Sequence, residues 1–286
     1  MIDLKAKTQD RRNGHAAAKN GRVLHDDDQR PEQDEEVSEA NSNFRSFQYV
    51  AEQALREQNP NTALTLTDET VVMFRALPLA QAEVEKIRSE IQVMHQRHGG
   101  AMSLGFAGSH SGEGNSTILA NLVLSFKHTN LRVLVVDLNV RHANLPGMFS
   151  LPEGPGLIDL IHARRRFSDV IRVVKANKIF LLPLGIAEKT TQFNLENAVR
   201  AITKAATQSK YFDLILFDFP PLNEVPQAVF AARQVDGLIQ VVQAERTRVE
   251  VVRSLKQRLD HLGVSLRGVV LNQRRYYIPK ILYENL

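Results

Sequence analysis

Ten consecutive residues carry the densest chemical signal in the chain: Gly108-Ser109-His110-Ser111-Gly112-Glu113-Gly114-Asn115-Ser116-Thr117. Small residues and glycines allow successive backbone N–H groups to turn toward one anion. A helix starting at the end of the run would add its positive pole. Gly112 and Gly114 permit close approach, Glu113 and Asn115 contribute N–H groups, and the hydroxyl of Ser116 or Thr117 can reach a Mg²⁺ ion. The chemistry implied is the cradling of nucleotide phosphates. Two carboxylates would suit such a loop. Asp137 closes the apolar run Val133-Leu134-Val135-Val136, and Asp218 closes Leu214-Ile215-Leu216-Phe217. An acid at the carboxyl end of a buried strand can orient water or Mg²⁺ beside phosphates. Either acid alone could be a mere strand ending; loop and acids in this order argue together.

The strict phosphate-loop pattern wants Lys immediately before Ser116 and Gly at the position of Ser109. Here Asn115 and Ser109 stand instead. Context therefore carries the reading: an apolar strand before the loop and an apolar helix after it.

The elements that must position these residues follow from periodicity. Strand-like runs lie at 103–107, 132–137, 179–184, 214–219, 238–243 and 266–272, with amphipathic helix-length stretches at 117–128, 194–209 and 246–262. Short apolar strands alternating with such helices predict an α/β fold: a doubly wound, mostly parallel sheet flanked by helices, with ligands at the strands' carboxyl ends. Upstream, Phe44, Phe47, Ala51, Ala54 and Leu55 fall at helical spacing, and Val84, Ile87, Ile91 and Met94 form a second helical stripe ended by Gly99-Gly100. The expected organisation is a charged tail over 1–42, a helical extension over 43–98, a nucleotide-binding domain over 99–275 and a tyrosine-containing tail over 276–286.

Composition excludes several classes. The chain has no cysteine, hence no disulfide, thiolate metal site or cysteine nucleophile. No apolar run approaches the roughly 20 residues of a membrane helix, and no secretory signal is expected at the start. A cytoplasmic protein reaching the inner membrane only through a partner is expected. Residues 1–22 carry Lys5, Lys7, Arg11, Arg12, Lys19 and Arg22, whereas 23–40 carry Asp26, Asp27, Asp28, Glu32, Asp34, Glu35, Glu36 and Glu39. Such charge blocks predict disorder. The acidic half would compete with any nucleic acid drawn to the basic half, so none is expected as a partner. The nine histidines show no metal-ligand spacing, and Arg164-Arg165-Arg166 reads as a solvated face or a contact for an acidic partner.

From Ala82 onward the chain resembles the bacterial tyrosine kinases of polysaccharide co-polymerase systems (CpsD/CapB-like), relatives of the MinD and ParA P-loop ATPases. Gly108–Thr117 matches their Walker A loop, 133–141 (VLVVDLNVR) their Walker A′ motif, 156–160 (GLIDL) a turn and helix start, and 211–221 (YFDLILFDFPP) their Walker B segment. The resemblance implies ATP or ADP as ligand, contacting Gly112 to Thr117 and Asn272 on the adenine-side strand. Ser116, Asp137 and Asp218 would hold a weak Mg²⁺, the two aspartates being catalytic if the protein is active. It further implies Tyr276, Tyr277 and Tyr283 as phosphoacceptors, although they could equally be packing anchors.

The departures imply impairment. Asn115 replaces the lysine that neutralises the phosphates, His110 the second loop lysine, Asn139 the second acid of Walker A′, and Phe219 a small hydroxyl residue. Of the family's ring-forming helix motif, Ala82, Glu85 and Arg88 leave only the last, so a monomer or dimer is expected. The implied protein is a catalytically impaired kinase-like subunit with nucleotide and Mg²⁺ held weakly or not at all. Its expected partner is a membrane-embedded, Wzz-like polysaccharide chain-length regulator, with an active paralogous kinase as another. An active ATP-dependent tyrosine autokinase is the alternative, and a ParA/MinD-like positioning ATPase a further one.

Overall fold

A computed structural model describes residues 78–162, 165, 167–175, 178–186 and 194–273. The tail 1–42, the first stripe of the helical extension, and Tyr276, Tyr277 and Tyr283 lie outside the described residues, as do Arg164 and Arg166.

Alternating apolar side chains in each central strand feed two separate cores, which is why the strands read as continuous apolar runs. In β2 (Val133–Asp137) and β5 (Leu214–Asp218), Val133, Val135, Leu214 and Leu216 enter one core. Leu134, Val136, Ile215 and Phe217 enter the other. These strands join β1 (Met102–Gly108), β3 (Arg172–Lys175), β4 (Ile179–Leu182), β6 (Gly237–Gln243) and β7 (Leu266–Asn272) in one sheet. The order is β3-β4-β2-β5-β1-β6-β7, and every pair is parallel except β3 with β4.

Helix α1 (Pro78–His98) buries Ile91, with Val84, Ile87 and Met94 packed beside it, as the sequence stripe predicts. It shares this face with α2 (Asn115–Ser125), whose Leu119, Ala120, Leu122 and Val123 are buried, and with the short α3 (Leu145–Met148). The opposite face is covered by α4 (Leu157–Ile161), α5 (Phe167–Val170), α6 (Leu195–Ser209), α7 (Pro226–Ala231) and α8 (Val249–His261). At the start of α4 the Gly156 N–H donates to Asp159 Oδ2 at 2.9 Å, satisfying one terminal donor.

The doubly wound, mostly parallel sheet is as expected. Strand β3 carries no sequence signal of its own, because its four residues hold only Val173 and Val174 between charged ends. The run expected to reach residue 184 leaves the sheet after Leu182, and the helix expected from 246 starts at Val249.

Phe219, immediately after β5, is buried, and its ring fills the space left by Gly105 in β1. A Cβ on Gly105 would lie 2.6 Å from Phe219 Cε2 and 3.0 Å from Leu238 Cδ1. The bulky residue at this position is therefore a core residue matched to a glycine. Gly105→Ala should destabilise the fold by about 1–3 kcal/mol through overpacking. In a Phe219→Leu background the added cost should be smaller, a coupling that urea unfolding of the four proteins would measure.

Candidate functional site

The ten-residue run connects the carboxyl end of β1 to the amino end of α2, on the edge of the sheet where β2 and β5 also end. Its turn is enforced by Gly112 and Gly114, both at φ +86°, a left-handed conformation costly to any other residue. Gly114 is constrained twice, since a Cβ there would lie 2.2 Å from Asn272 Nδ2. Asn272 donates to the Glu113 carbonyl at 2.9 Å and accepts from Gln273 N–H at 2.8 Å. The last strand thus braces the loop through the residue expected on the adenine side.

The N–H groups of the loop divide into two sets. Those of Ser109 and His110 donate to the buried Glu113 Oε2, whose other oxygen accepts from the Thr247 hydroxyl. The Ser111 N–H and hydroxyl donate to Glu224, at 2.6 and 2.8 Å. By contrast, no acceptor among the described residues meets the N–H groups of Gly112 to Thr117. Those six residues were expected to touch the phosphates, and their donors stand open on the helix's positive end. The side chain of Glu113, however, is a brace beneath the loop. Neutral N–H donors and a helix pole suit a phosphate, so the loop fits the phosphate part of a nucleotide.

Asn115 turns back onto the strand ends. Its Nδ2 donates to Asp218 Oδ1 at 2.6 Å and to the Phe106 carbonyl at 2.9 Å, while its buried Oδ1 meets no partner. Asp218 and Asp137 are neighbours across β5 and β2, and both are buried. Asp137 Oδ1 accepts the Asn139 N–H at 3.0 Å and Oδ2 the Leu145 N–H at 3.3 Å. Asn139, at the family's second acid position, accepts the His142 N–H through its own Oδ1.

Burial pushes the Asp137 carboxyl up to about 6, against the downward pull of the two N–H groups. Asp218 is raised well above the usual carboxylate range, first by burial and then by the charge of Asp137. Hydrogen bonds from Ser116 and Asn115 oppose that rise.

A Mg²⁺ ion needs hard oxygen ligands free to form an octahedral shell. The expected set of Ser116, Asp137 and Asp218 is brought together, but Asp218 Oδ1 accepts the Asn115 amide and both Asp137 oxygens accept backbone N–H groups. The arrangement fits a nucleotide phosphate better than it fits the metal. Among the described residues no group of three or more His, Asp or Glu could hold a metal ion.

Two residues of the site have no local sequence signal. Glu224 and Thr247 lie more than a hundred residues from the loop they hold, and only the sheet brings them to it. His110, at the second lysine position, is half exposed, with Nδ1 3.9 Å from Glu224. An open cavity of about 410 Å³, lined by Gln243, Ala244, Glu245, Arg246 and Gln273, adjoins the loop at the ends of β6 and β7. On α1, Glu85 and Gln92 hold the Arg88 guanidinium within its own helix.

Comparison with known proteins agrees with this geometry. The family described as cellulose biosynthesis protein BcsQ matches residues 102–264, more than half the chain. "Tyrosine-protein kinase CpsD" of Streptococcus agalactiae serotype III (strain NEM316) is 28% identical over 163 residues, covering 57% of this chain and 70% of the relative. The kinase domain of Escherichia coli tyrosine kinase ETK superposes with a TM-score of 0.59 at 18% identity, covering 68% of this chain and 79% of that one. The septum site-determining protein MinD of Pyrococcus horikoshii OT3, complexed with Mg-ADP, gives 0.52 at 20% identity, covering 65% and 76%. At these identities the structural matches speak to the fold.

The raised aspartates make a linkage prediction. A carboxyl that binds its proton more tightly when folded favours the native state at low pH, and that advantage is lost as pH rises. For Asp137 the loss falls between its ordinary 3.8 and about 6. It is worth on the order of 2–3 kcal/mol. The unliganded protein should melt at a higher temperature near pH 5 than near pH 7.5. Asp137→Asn should flatten that dependence, as thermal unfolding across this range will show.

Proposed function

This chain belongs to the cellulose biosynthesis protein BcsQ family, and we propose on that basis that it is a catalytically impaired, kinase-like P-loop subunit serving exopolysaccharide biosynthesis as a nucleotide-sensing scaffold. The observation that carries this reading is the pairing at its centre. The loop's N–H cradle from Gly112 to Thr117 is intact, yet the residue that should bring a cation to the phosphates is a neutral amide bonded to Asp218.

Phosphoryl transfer depends on positioning and on stabilising charge on the transferred group. Removing a cation from the loop at Asn115 and an anion at Asn139 costs several kcal/mol of that stabilisation, about a thousandfold in rate. Binding rests on backbone donors, which neither substitution removes. ATP or ADP is thus held weakly, its phosphates on the loop and its base toward the cavity beside Gln273 and Asn272.

A subunit of this kind acts through what it touches. We assign as partner a membrane-embedded polysaccharide chain-length regulator, with an active paralogous kinase as a further one. Contact with the regulator would bring the protein to the inner membrane, since no helix among the described residues is long and apolar enough to cross it. In this reading Tyr276, Tyr277 and Tyr283 serve packing or docking. The competing reading is an active tyrosine autokinase in which His110 or a neighbouring subunit supplies the missing charge. A positioning ATPase is disfavoured because both lysine positions of the loop are changed.

Calorimetric titration with ATP and Mg²⁺, followed by a phosphotyrosine assay, separates these readings. Binding without phosphotyrosine is expected, whereas phosphotyrosine formation would favour the autokinase and ATP-driven dimerisation the positioning ATPase. Asn115→Lys should tighten ATP binding by roughly one to a few kcal/mol, the worth of a charge-assisted contact. Unchanged affinity in that variant would show that the loop does not hold phosphates. Because Arg88 is tied to Glu85 and Gln92 within α1, light scattering should find a monomer or dimer, and a stable octameric ring would overturn that assignment.

A further inference from the structure

We infer that this loop takes nucleotide phosphates without a divalent cation, the Asn115 side-chain amide filling the place at Asp218 that a cation would otherwise occupy. The inference rests on the phosphate-cradle reading above and specifies how that site is charged.

The argument is an accounting of oxygen atoms. A P-loop that uses Mg²⁺ must offer it a hydroxyl and a carboxylate, directly or through water. Here Asp218 Oδ1 accepts the Asn115 amide at 2.6 Å, one hydrogen bond into the carboxyl that a metal would need. Each oxygen of Asp137 accepts a backbone N–H, from Asn139 and from Leu145. Asn139 offers an amide oxygen in place of a second carboxylate, and that oxygen accepts the His142 N–H.

To bind Asp218 through Oδ1, Mg²⁺ would compete with the Asn115 amide. Asn115 is poorly placed to be displaced. Its Oδ1 is already buried without a partner, and its Nδ2 also holds the Phe106 carbonyl at the end of β1. Breaking the contact with Asp218 would cost the half-buried Asn115 amide one of its hydrogen bonds, a cost that Mg²⁺, which sheds its water reluctantly, does not readily offset. The groups that would contact the phosphates make no comparable demand. The N–H donors of Gly112 to Thr117 are neutral, without an acceptor among the described residues, and backed by the pole of α2, so they need only an anion. The ligand class is a nucleoside di- or triphosphate in its metal-free form.

The test is calorimetric titration of the full chain with ATP, once in excess EDTA and once in excess Mg²⁺, with pyrophosphate as competitor. The apparent dissociation constant should be several-fold weaker in excess Mg²⁺ than in EDTA, because the metal sequesters the free ligand. Equal or tighter binding in Mg²⁺ would overturn the inference while leaving the phosphate cradle in place. Absence of binding in both conditions would overturn the cradle reading and the inference together.

A second arm assigns the cause. In Asn115→Ala, checked for folding by circular dichroism, Asp218 loses its amide partner and becomes available to a metal. Mg²⁺ should then strengthen ATP binding by about threefold or more relative to EDTA. A folded Asn115→Ala protein that binds ATP more weakly in Mg²⁺, as the parent does, would overturn the role given to Asn115.

Discussion

The hydrogen bond from the Asn115 amide to Asp218 joins the first turn of α2 to the end of β5, and the chemistry of the site turns on it. A lysine at this position would reach outward to phosphates and leave the acid free for a metal. A short amide instead reaches inward and ties the helix start to two strands at once, through Asp218 and the Phe106 carbonyl. The same contact opposes the rise that burial imposes on Asp218. In this fold the side chain at position 115 holds helix and strands together.

The loop survives this change because its shape does not come from that position. Glu113 gathers the amides of Ser109 and His110 from below, and Glu224 holds Ser111 from the side. Asn272 carries the carbonyl of Glu113 from the far strand, and the positive φ of Gly112 and Gly114 turns the remaining N–H groups away from these anchors. Carboxylates engage the early amides and leave the later ones open. The loop thus supplies its own internal anions where it needs rigidity and keeps donors available where a ligand belongs. Anchoring by several elements makes the loop's shape independent of the side chain at position 115, whereas phosphoryl transfer in general needs charges in addition to shape.

The fold supports this by burying both faces of the sheet. Strand side chains alternate between two cores, so the strand ends, and not their faces, are left for function. Beside the site the core is closely fitted: Phe219 occupies space that Gly105 leaves empty.

The sequence by itself determined the sheet, the order of strand, loop and helix around Gly108 to Thr117, and the two acids Asp137 and Asp218, because apolar periodicity and glycine spacing are local properties. It also showed that the lysine was missing. Edge strand β3 escaped notice, since its four residues hold only Val173 and Val174 between charged ends. The direction in which Asn115 points, the engagement of Asp137, and the parts played by Glu224 and Thr247 were decided only by the tertiary structure. Each of these depends on contacts across roughly a hundred residues or on competition among donors for the same oxygen atoms. A linear pattern records which groups exist. Only the folded sheet settles which of them are already spoken for.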